Sequence, residues 1–349
     1  MRKPIKYKKR TNKRRNKRTN KKKNRKTYRL FGGKSIDKHL LSYNRYIQLN
    51  ASKTPICNEN YTKKILHKPL HELVSIAKKV NEDIIEAFTY SLLPYYFLPD
   101  SVPIEHHDIV VSKYKSGNCV SLAYMVLEEF KKKRIEAILI PATIPPRLIQ
   151  KGYPEYSHVV ATLETKECFI LCDPAYFILT PVVVKKNGEP FVIYVEVFKE
   201  TWTYKYDERQ KRINVTTNGI QICFYKICVI ENPTFSISYP VNTRNKRIPI
   251  IKYSSKENRK LAHLSIRIDT QKLEGYNVHH PSNDHWYERF DWATCLNPAL
   301  TEEQQLEALS NWEGLSNQQC ATLNYDKDIL VKQILSILKS ESKKSPTFI

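Results

Sequence analysis

Ser116-Gly117-Asn118-Cys119, Ser157-His158-Val159-Val160 and Leu171-Cys172-Asp173-Pro174 are the three segments around which the rest of the sequence is organised. From Cys119 onward, Ala123, Val126, Leu127 and Phe130 recur with Cys119 at helical spacing and share one face, predicting a helix over 119–133. Asn118 is a good N-cap just ahead of it. A thiol in that place sits beside the positive end of the helix dipole, which favours thiolate over thiol. Ser157–Glu164 and Glu167–Asp173 read as two strands with a turn at Thr165-Lys166. A symmetric hairpin then sets Glu164 opposite Glu167 and, stepping outward, His158 opposite Asp173, with Cβ atoms about 4.5–5.5 Å apart. The other face carries Val159, Ala161, Leu163, Cys168, Ile170 and Cys172 and reads as core. A slip of one residue would send Asp173 to the wrong face.

The order of these pieces resembles a known group. Gly117-Asn118-Cys119 at a helix start, a strand after Lys133-Arg134-Ile135-Glu136-Ala137, His158-Val159-Val160 on the next strand and Asp173-Pro174 closing the one after are similar to the papain-fold cysteine enzymes. Within them the likeness is to the transglutaminase-like and arylamine N-acetyltransferase-like branch, over about residues 112–178. The resemblance implies Cys119 as nucleophile, His158 as general base and acid, and Asp173 as the group that orients the imidazole. It implies cysteine-dependent acyl transfer or amide hydrolysis on an amide or thioester substrate, with the Cys119 backbone N–H in the oxyanion hole. Lys115-Ser116-Gly117 stands where the acetyltransferases carry Arg-Gly-Gly, and Val159 replaces the aromatic residue that follows His in transglutaminases. Neither acetyl-CoA nor glutamine cross-linking follows from the resemblance.

The chain has 349 residues, 41% of them hydrophobic, enough for one large or two ordinary domains. Its formal charge of +23 is unevenly spread: residues 1–34 hold 18 Lys/Arg and no acid, leaving 40 basic against 35 acidic residues elsewhere. Such an arm has little apolar surface to bury and is expected to be disordered. Its expected partner is a polyanion held by counterion release, nucleic acid first and then an acidic protein surface or an anionic membrane; the alternative is a nuclear-import signal or a solubilising arm. In composition, ending on Phe31-Gly32-Gly33-Lys34, the arm looks like those on proteins of large DNA viruses. That likeness implies a host cytoplasm or nucleus, or a virion. The alternative function is a non-catalytic structural protein on a papain-like scaffold.

Eight cysteines without a CxxC or a secretory h-region point to a reducing compartment rather than a disulfide framework. Cys168, Cys172, Cys223 and Cys228 lie in apolar strands and are expected to be reduced core residues. No stretch approaches the length of a membrane span. No Walker A, GxGxxG or HExxH pattern occurs, so no cofactor is expected. His279-His280, Asp284-His285 and Cys295 include zinc-type ligands, but their spacing matches no compact site. His106-His107-Asp108 reads as loop histidines ahead of a strand, Asp108–Lys113.

Around the central hairpin, Leu70–Tyr90 reads as an amphipathic helix and Ala137–Ile140 as a strand. The proline-rich loop Pro141–Pro154 is placed to wall a cleft. An antiparallel meander follows over Val182–Ile230, with turns at Asn187-Gly188, Asp207-Glu208 and Asn218-Gly219. Strands are expected at Thr234–Tyr239, Ile248–Tyr253 and Leu264–Ile268. Thr301-Glu302-Glu303-Gln304 predicts a capping box, and Asp328–Lys339 a last helix. The expected organisation is α+β: a disordered arm at 1–34, a papain-like core at 35–232 with the nucleophile helix packed on an antiparallel sheet, and a β-rich extension with terminal helices at 233–349.

Overall fold

The structure, a computed structural model, describes residues 57–61, 66–97, 111, 114–149, 155–230, 247–278 and 287–344. The basic arm, the expected boundary near Asn232-Pro233, the strand Thr234–Tyr239, His106-His107-Asp108 and the 279–285 histidines lie outside the described residues.

The described chain is a mixed α+β structure. After β1 (Cys57–Asn58), helix α1 (Leu70–Ala87) buries Leu73, Ala77, Val80 and Ile84 along one face. Two short strands, β2 (Thr89–Ser91) and β3 (Ser116–Gly117), pair in parallel. Helix α2 (Cys119–Lys132) starts directly after them, with Cys119, Ala123, Val126 and Phe130 buried as the spacing predicts.

An eight-stranded sheet follows from β4 (Ile138–Ala142), β5 (His158–Glu164), β6 (Cys168–Cys172), β7 (Val182–Lys185), β8 (Phe191–Val195), β9 (Glu200–Asp207), β10 (Arg212–Thr217) and β11 (Ile220–Lys226). Its order is β7-β6-β5-β4-β11-β10-β9-β8, antiparallel throughout. The Asn218-Gly219 turn between β10 and β11 has both φ angles positive, 50° and 75°, the type I′ geometry that Asn-Gly favours. The run expected as one strand to Ile230 breaks at Ile227-Cys228, and β12 (Val229–Ile230) leaves to pair with β1. Cys228, expected as a reduced core thiol, is disulfide-bonded there. Cys119, Cys168, Cys172, Cys223, Cys295 and Cys320 are free and buried.

The second sheet contains β13 (Arg247–Ser254), β14 (Arg259–Arg267), β15 (Lys272–Asn277) and β16 (Tyr287–Asp291). Its order is β16-β15-β14-β13-β2-β3, so β13 pairs with β2, whose other neighbour, β3, leads directly into Asn118 and Cys119. Helices α3 (Glu302–Ser310) and α4 (Lys327–Lys344) complete the chain; Thr301 and Gln304 form the expected capping box at the start of α3. No helix among the described residues is long and apolar enough to cross a membrane.

Two cores hold these layers. The larger joins α1, α2, α4, the face of β5–β6 that carries Val159, Ala161, Leu163, Cys168, Ile170 and Cys172, and the inner face of the second sheet. The smaller fills the other face of the eight-stranded sheet with Ile140, Val160, Phe169, Leu171, Trp202, Tyr204 and Tyr225. Each such large side chain stabilises by about 1.5–3 kcal/mol on full burial. Strands β5 and β6 are therefore buried on both faces, not on one.

The hairpin register differs from expectation. Glu164 stands opposite Phe169, not Glu167, and Ala161 opposite Cys172. The cause lies at the turn. Thr165 Oγ1 accepts the backbone N–H groups of Glu167 and Cys168 at 3.3 and 2.9 Å, and the Thr165 N–H donates to the Cys168 carbonyl at 2.9 Å. Thr165 thus closes the ladder and Lys166-Glu167 becomes the turn. The pairing shifts by two positions, which preserves the face. His158 and Asp173 become diagonal neighbours on one side instead of direct partners.

Candidate active site

Cys119, His158 and Asp173 arrive from three elements. Cys119 opens α2, where Asn118 Oδ1 accepts the Ser121 N–H at 3.1 Å and so caps the helix. Gly117 passes so close to the helix that a Cβ on it would stand 2.6 Å from Ser121 Cβ. A side chain there would push the first turn, and the sulfur with it, out of place. The Cys119 Sγ lies 3.7 Å from the Ser157 carbonyl oxygen, at the threshold of β5.

His158 is the first residue of β5. Its Nε2 lies 2.8 Å from Asp173 Oδ2, and the ring also hydrogen-bonds the Cys119 sulfur. With Nε2 engaged by the carboxylate, Nδ1 is the nitrogen left for the thiol. Asp173 follows β6 and begins the turn Pro174–Tyr176. The three residues selected from sequence are brought together, each almost wholly buried.

Two tyrosines complete the arrangement, and the sequence reading missed both. The Tyr225 hydroxyl on β11 donates to the same Asp173 Oδ2 at 2.9 Å. The Tyr176 ring stacks on the imidazole with centroids 4.5 Å apart and planes at 28°. The row across the sheet explains how Tyr225 reaches in: His158 pairs with Ala142 of β4, and Ala142 pairs with Tyr225. Strands sit about 4.8 Å apart, so only a small residue in the middle lets imidazole and phenol lean over it toward one carboxylate. Alternation along Ile220–Lys226 places Tyr225 on the His158 face, and that was the available signal. A buried phenol asks for a polar partner.

Burial alone would lower the His158 pKa. The Asp173 carboxylate and the Cys119 sulfur outweigh that, and the imidazole is pushed up to about 10. At neutral pH it carries the proton. Burial drives the Tyr225 phenol well above its usual range, so it stays a donor to the carboxylate. Asp173 Oδ1 is buried and has no hydrogen-bond partner among the described residues. Phe177, four residues past Asp173, holds a left-handed backbone (φ 55°) and stacks on Tyr253, a strained position beside the site.

A cleft of about 460 Å³ reaches Cys119 and His158. Ile144, Arg147 and Leu148 wall it from the loop after β4, as that loop's position in sequence suggested. Tyr176, Phe177 and Phe198 form its aromatic side, and the polar face of the second sheet closes it opposite. No group of His, Cys, Asp and Glu suited to a metal occurs among the described residues.

No protein-family model matches the chain, and no curated protein does. Solved structures of arylamine N-acetyltransferases are similar in fold at low identity. The Mycobacterium marinum enzyme is 11% identical with a TM-score of 0.45, covering 80% of this chain and 97% of that one. The Bacillus cereus enzyme, described as having a Cys-His-Glu catalytic triad, is 12% identical with a TM-score of 0.45, over 77% and 96%. The Mycobacterium smegmatis enzyme is 13% identical with a TM-score of 0.44, over 75% and 92%. The chemistry of the site therefore has to come from this chain's own residues.

Proposed function

We propose that this protein catalyses cysteine-dependent acyl transfer or amide hydrolysis, with Cys119 as nucleophile, His158 as proton carrier and Asp173 as orienting group. The observation that supports this is the hydrogen-bonded line from the Cys119 sulfur through His158 to Asp173 Oδ2, ending at an accessible cleft. Sulfur attacks the carbonyl carbon of an amide or thioester, and the charge that develops on its oxygen faces the positive end of α2, where the Cys119 backbone N–H supplies part of the oxyanion hole. The imidazolium gives its proton to the departing amine or thiol as the carbon–heteroatom bond breaks, leaving an acyl group on Cys119. Water or an amine then attacks the thioester, His158 takes the acceptor's proton, and the acyl group leaves with the acceptor while thiolate and imidazolium are restored. Asp173 holds one ring nitrogen throughout, and Tyr225 holds Asp173.

The test is the alkylation rate of Cys119 by iodoacetamide across pH, alongside hydrolysis of p-nitrophenyl acetate. Fast alkylation well below pH 8, slowed at least tenfold in His158→Ala, and a p-nitrophenolate burst lost in Cys119→Ser support the reading. A sulfur no more reactive than free cysteine, with no burst, favours the scaffold instead. The arm at 1–34, with 18 basic residues and no acid, is proposed to bind nucleic acid without sequence readout. Deleting residues 2–34 should abolish a steeply salt-dependent affinity for DNA and RNA; affinity retained after deletion would locate binding elsewhere.

A further inference from the structure

Alternation along the second sheet turns Ile248, Ile250, Leu264, Ile266 and Leu273 into the large core. The opposite face is the cleft wall. Register sets Arg247 against Arg267, and Tyr253 against Lys260, on that face. The cleft is thus lined by four Lys and Arg side chains, Arg147, Arg247, Lys260 and Arg267, against one carboxylate, Asp269.

Carboxylate partners neutralise only part of this charge. Arg147 is held by Glu200, with a second nitrogen–oxygen contact at 3.1 Å. Arg267 pairs with Asp269 at 3.1 Å. The buried Glu274 is shared by three guanidinium groups, at 3.5 Å from Arg267, 3.8 Å from Arg289 and 4.0 Å from Arg247. Lys260 pairs with no carboxylate among the described residues. Its ammonium sits 5.0 Å from the centre of the Tyr276 ring, and the charges nearest it, Arg247 and Lys199, are cationic. Burial, with those two neighbours, lowers its pKa, as expected of a cation still lacking its anion. His263, next to it, is driven well below its usual range by burial and by Lys260 and Arg247, so it stays neutral and accepts from Arg247 at 3.2 Å.

We propose that this wall binds the anionic end of the substrate, a carboxylate or a phosphate monoester seated against Lys260 and Arg247, while the reacting carbonyl lies at Cys119. This rests on the acyl-transfer reading above and names its substrate class. Cleft volume fits: about 460 Å³ lies within the range of small-molecule sites. A charge-assisted contact at the far end holds the acyl group in register without touching the reacting atoms.

The full-length protein is tested with two p-nitrophenyl esters of equal chain length, the neutral hexanoate and the adipate with its distal carboxylate, uncatalysed rates subtracted. Expected is a kcat/KM about tenfold higher for adipate, from one charge-assisted contact. That ratio falls toward one in Lys260→Gln and holds in Lys272→Gln, a cation on the same sheet that does not line the cleft. A second readout needs no turnover: adipate or inorganic phosphate at millimolar concentration slows iodoacetamide alkylation of Cys119 in the wild type and not in Lys260→Gln. Protection by only one of the two anions supports the proposal and tells carboxylate from phosphate. Equal rates for both esters together with no protection by either anion overturn it. If neither ester reacts, the acyl-transfer reading has failed, and protection alone decides whether the wall binds anions.

Discussion

His158 and His263 are both buried, one in each sheet, and their surroundings drive them in opposite directions. His158 faces a buried carboxylate and a sulfur and holds its proton. His263 faces Lys260 and Arg247 and gives its proton up. The same side chain at similar burial becomes a cation in one sheet and a neutral acceptor in the other. Desolvation is common to both, so the nearest charge sets the sign. The contrast extends to the sheets themselves. The eight-stranded sheet presents apolar groups on both faces of β5 and β6 and encloses the His158–Asp173 pair among them. The second sheet buries one face and turns an excess of positive charge to the cleft.

The largest expected effect tests the difference in burial. Leu171→Lys, placing an ammonium in the smaller core, should cost more than about 4 kcal/mol and abolish the cooperative transition in urea. Ile251→Lys, on the half-exposed cleft face, should cost about 1 kcal/mol or less. Similar losses would mean that the two sheets are not differently packed.

Next come the opposite pH dependences of the two histidines, read from urea unfolding. The folded state holds the His158 proton more tightly than the unfolded chain does. Its contribution is therefore fully present below about pH 6.5 and is lost as pH rises through about 10. The folded state resists protonating His263, so stability should fall as pH drops below about 6.5. His158→Gln should remove the alkaline loss and His263→Gln the acidic one; either variant erasing the other's limb would contradict the assignment.

Ala142→Leu should rank third. A larger side chain between His158 and Tyr225 overpacks the row at a cost of about 1–3 kcal/mol. It should also bring Cys119 alkylation down to the rate of a free thiol; wild-type reactivity in this variant would show that the gap is not needed. Tyr225→Phe should be the smallest, about 1.5 kcal/mol by urea denaturation, through loss of one hydrogen bond to a charged oxygen. No change at all would mean that water replaces the phenol.

Much of the first sheet and its site was legible because it depends on short-range periodicity. The helical spacing behind Cys119, the Asn-Gly turn and the alternation through β5 and β6 are local signals, and each appears where expected. The register error came from one hydroxyl: Thr165 competes for the turn amides, and composition does not show which strand end will win. The result survived because side chains alternate with a period of two. Strands β15 and β16 were missed because Lys272–Asn277 and Tyr287–Asp291 interleave charges with few apolar residues and lack a strand's usual apolar run. The basic wall was invisible for another reason. Arg147, Arg247, Lys260 and Arg267 are scattered in sequence and meet only through pairing, while the total charge pointed to the arm.

The tip of the Tyr325 side chain has a further consequence. Its hydroxyl bonds Ser116 Oγ at 2.8 Å and Ser91 Oγ at 3.1 Å, while Thr89 Oγ1 donates to the Leu323 carbonyl at 2.9 Å. These clamps fasten the two short strands from which Cys119 emerges. A ribosome making this protein finishes Cys119, His158 and Asp173 long before it reaches Leu323. Until then the nascent polypeptide carries all three side chains but lacks the latch beside the first of them, and a messenger truncated ahead of that codon would encode the three without it.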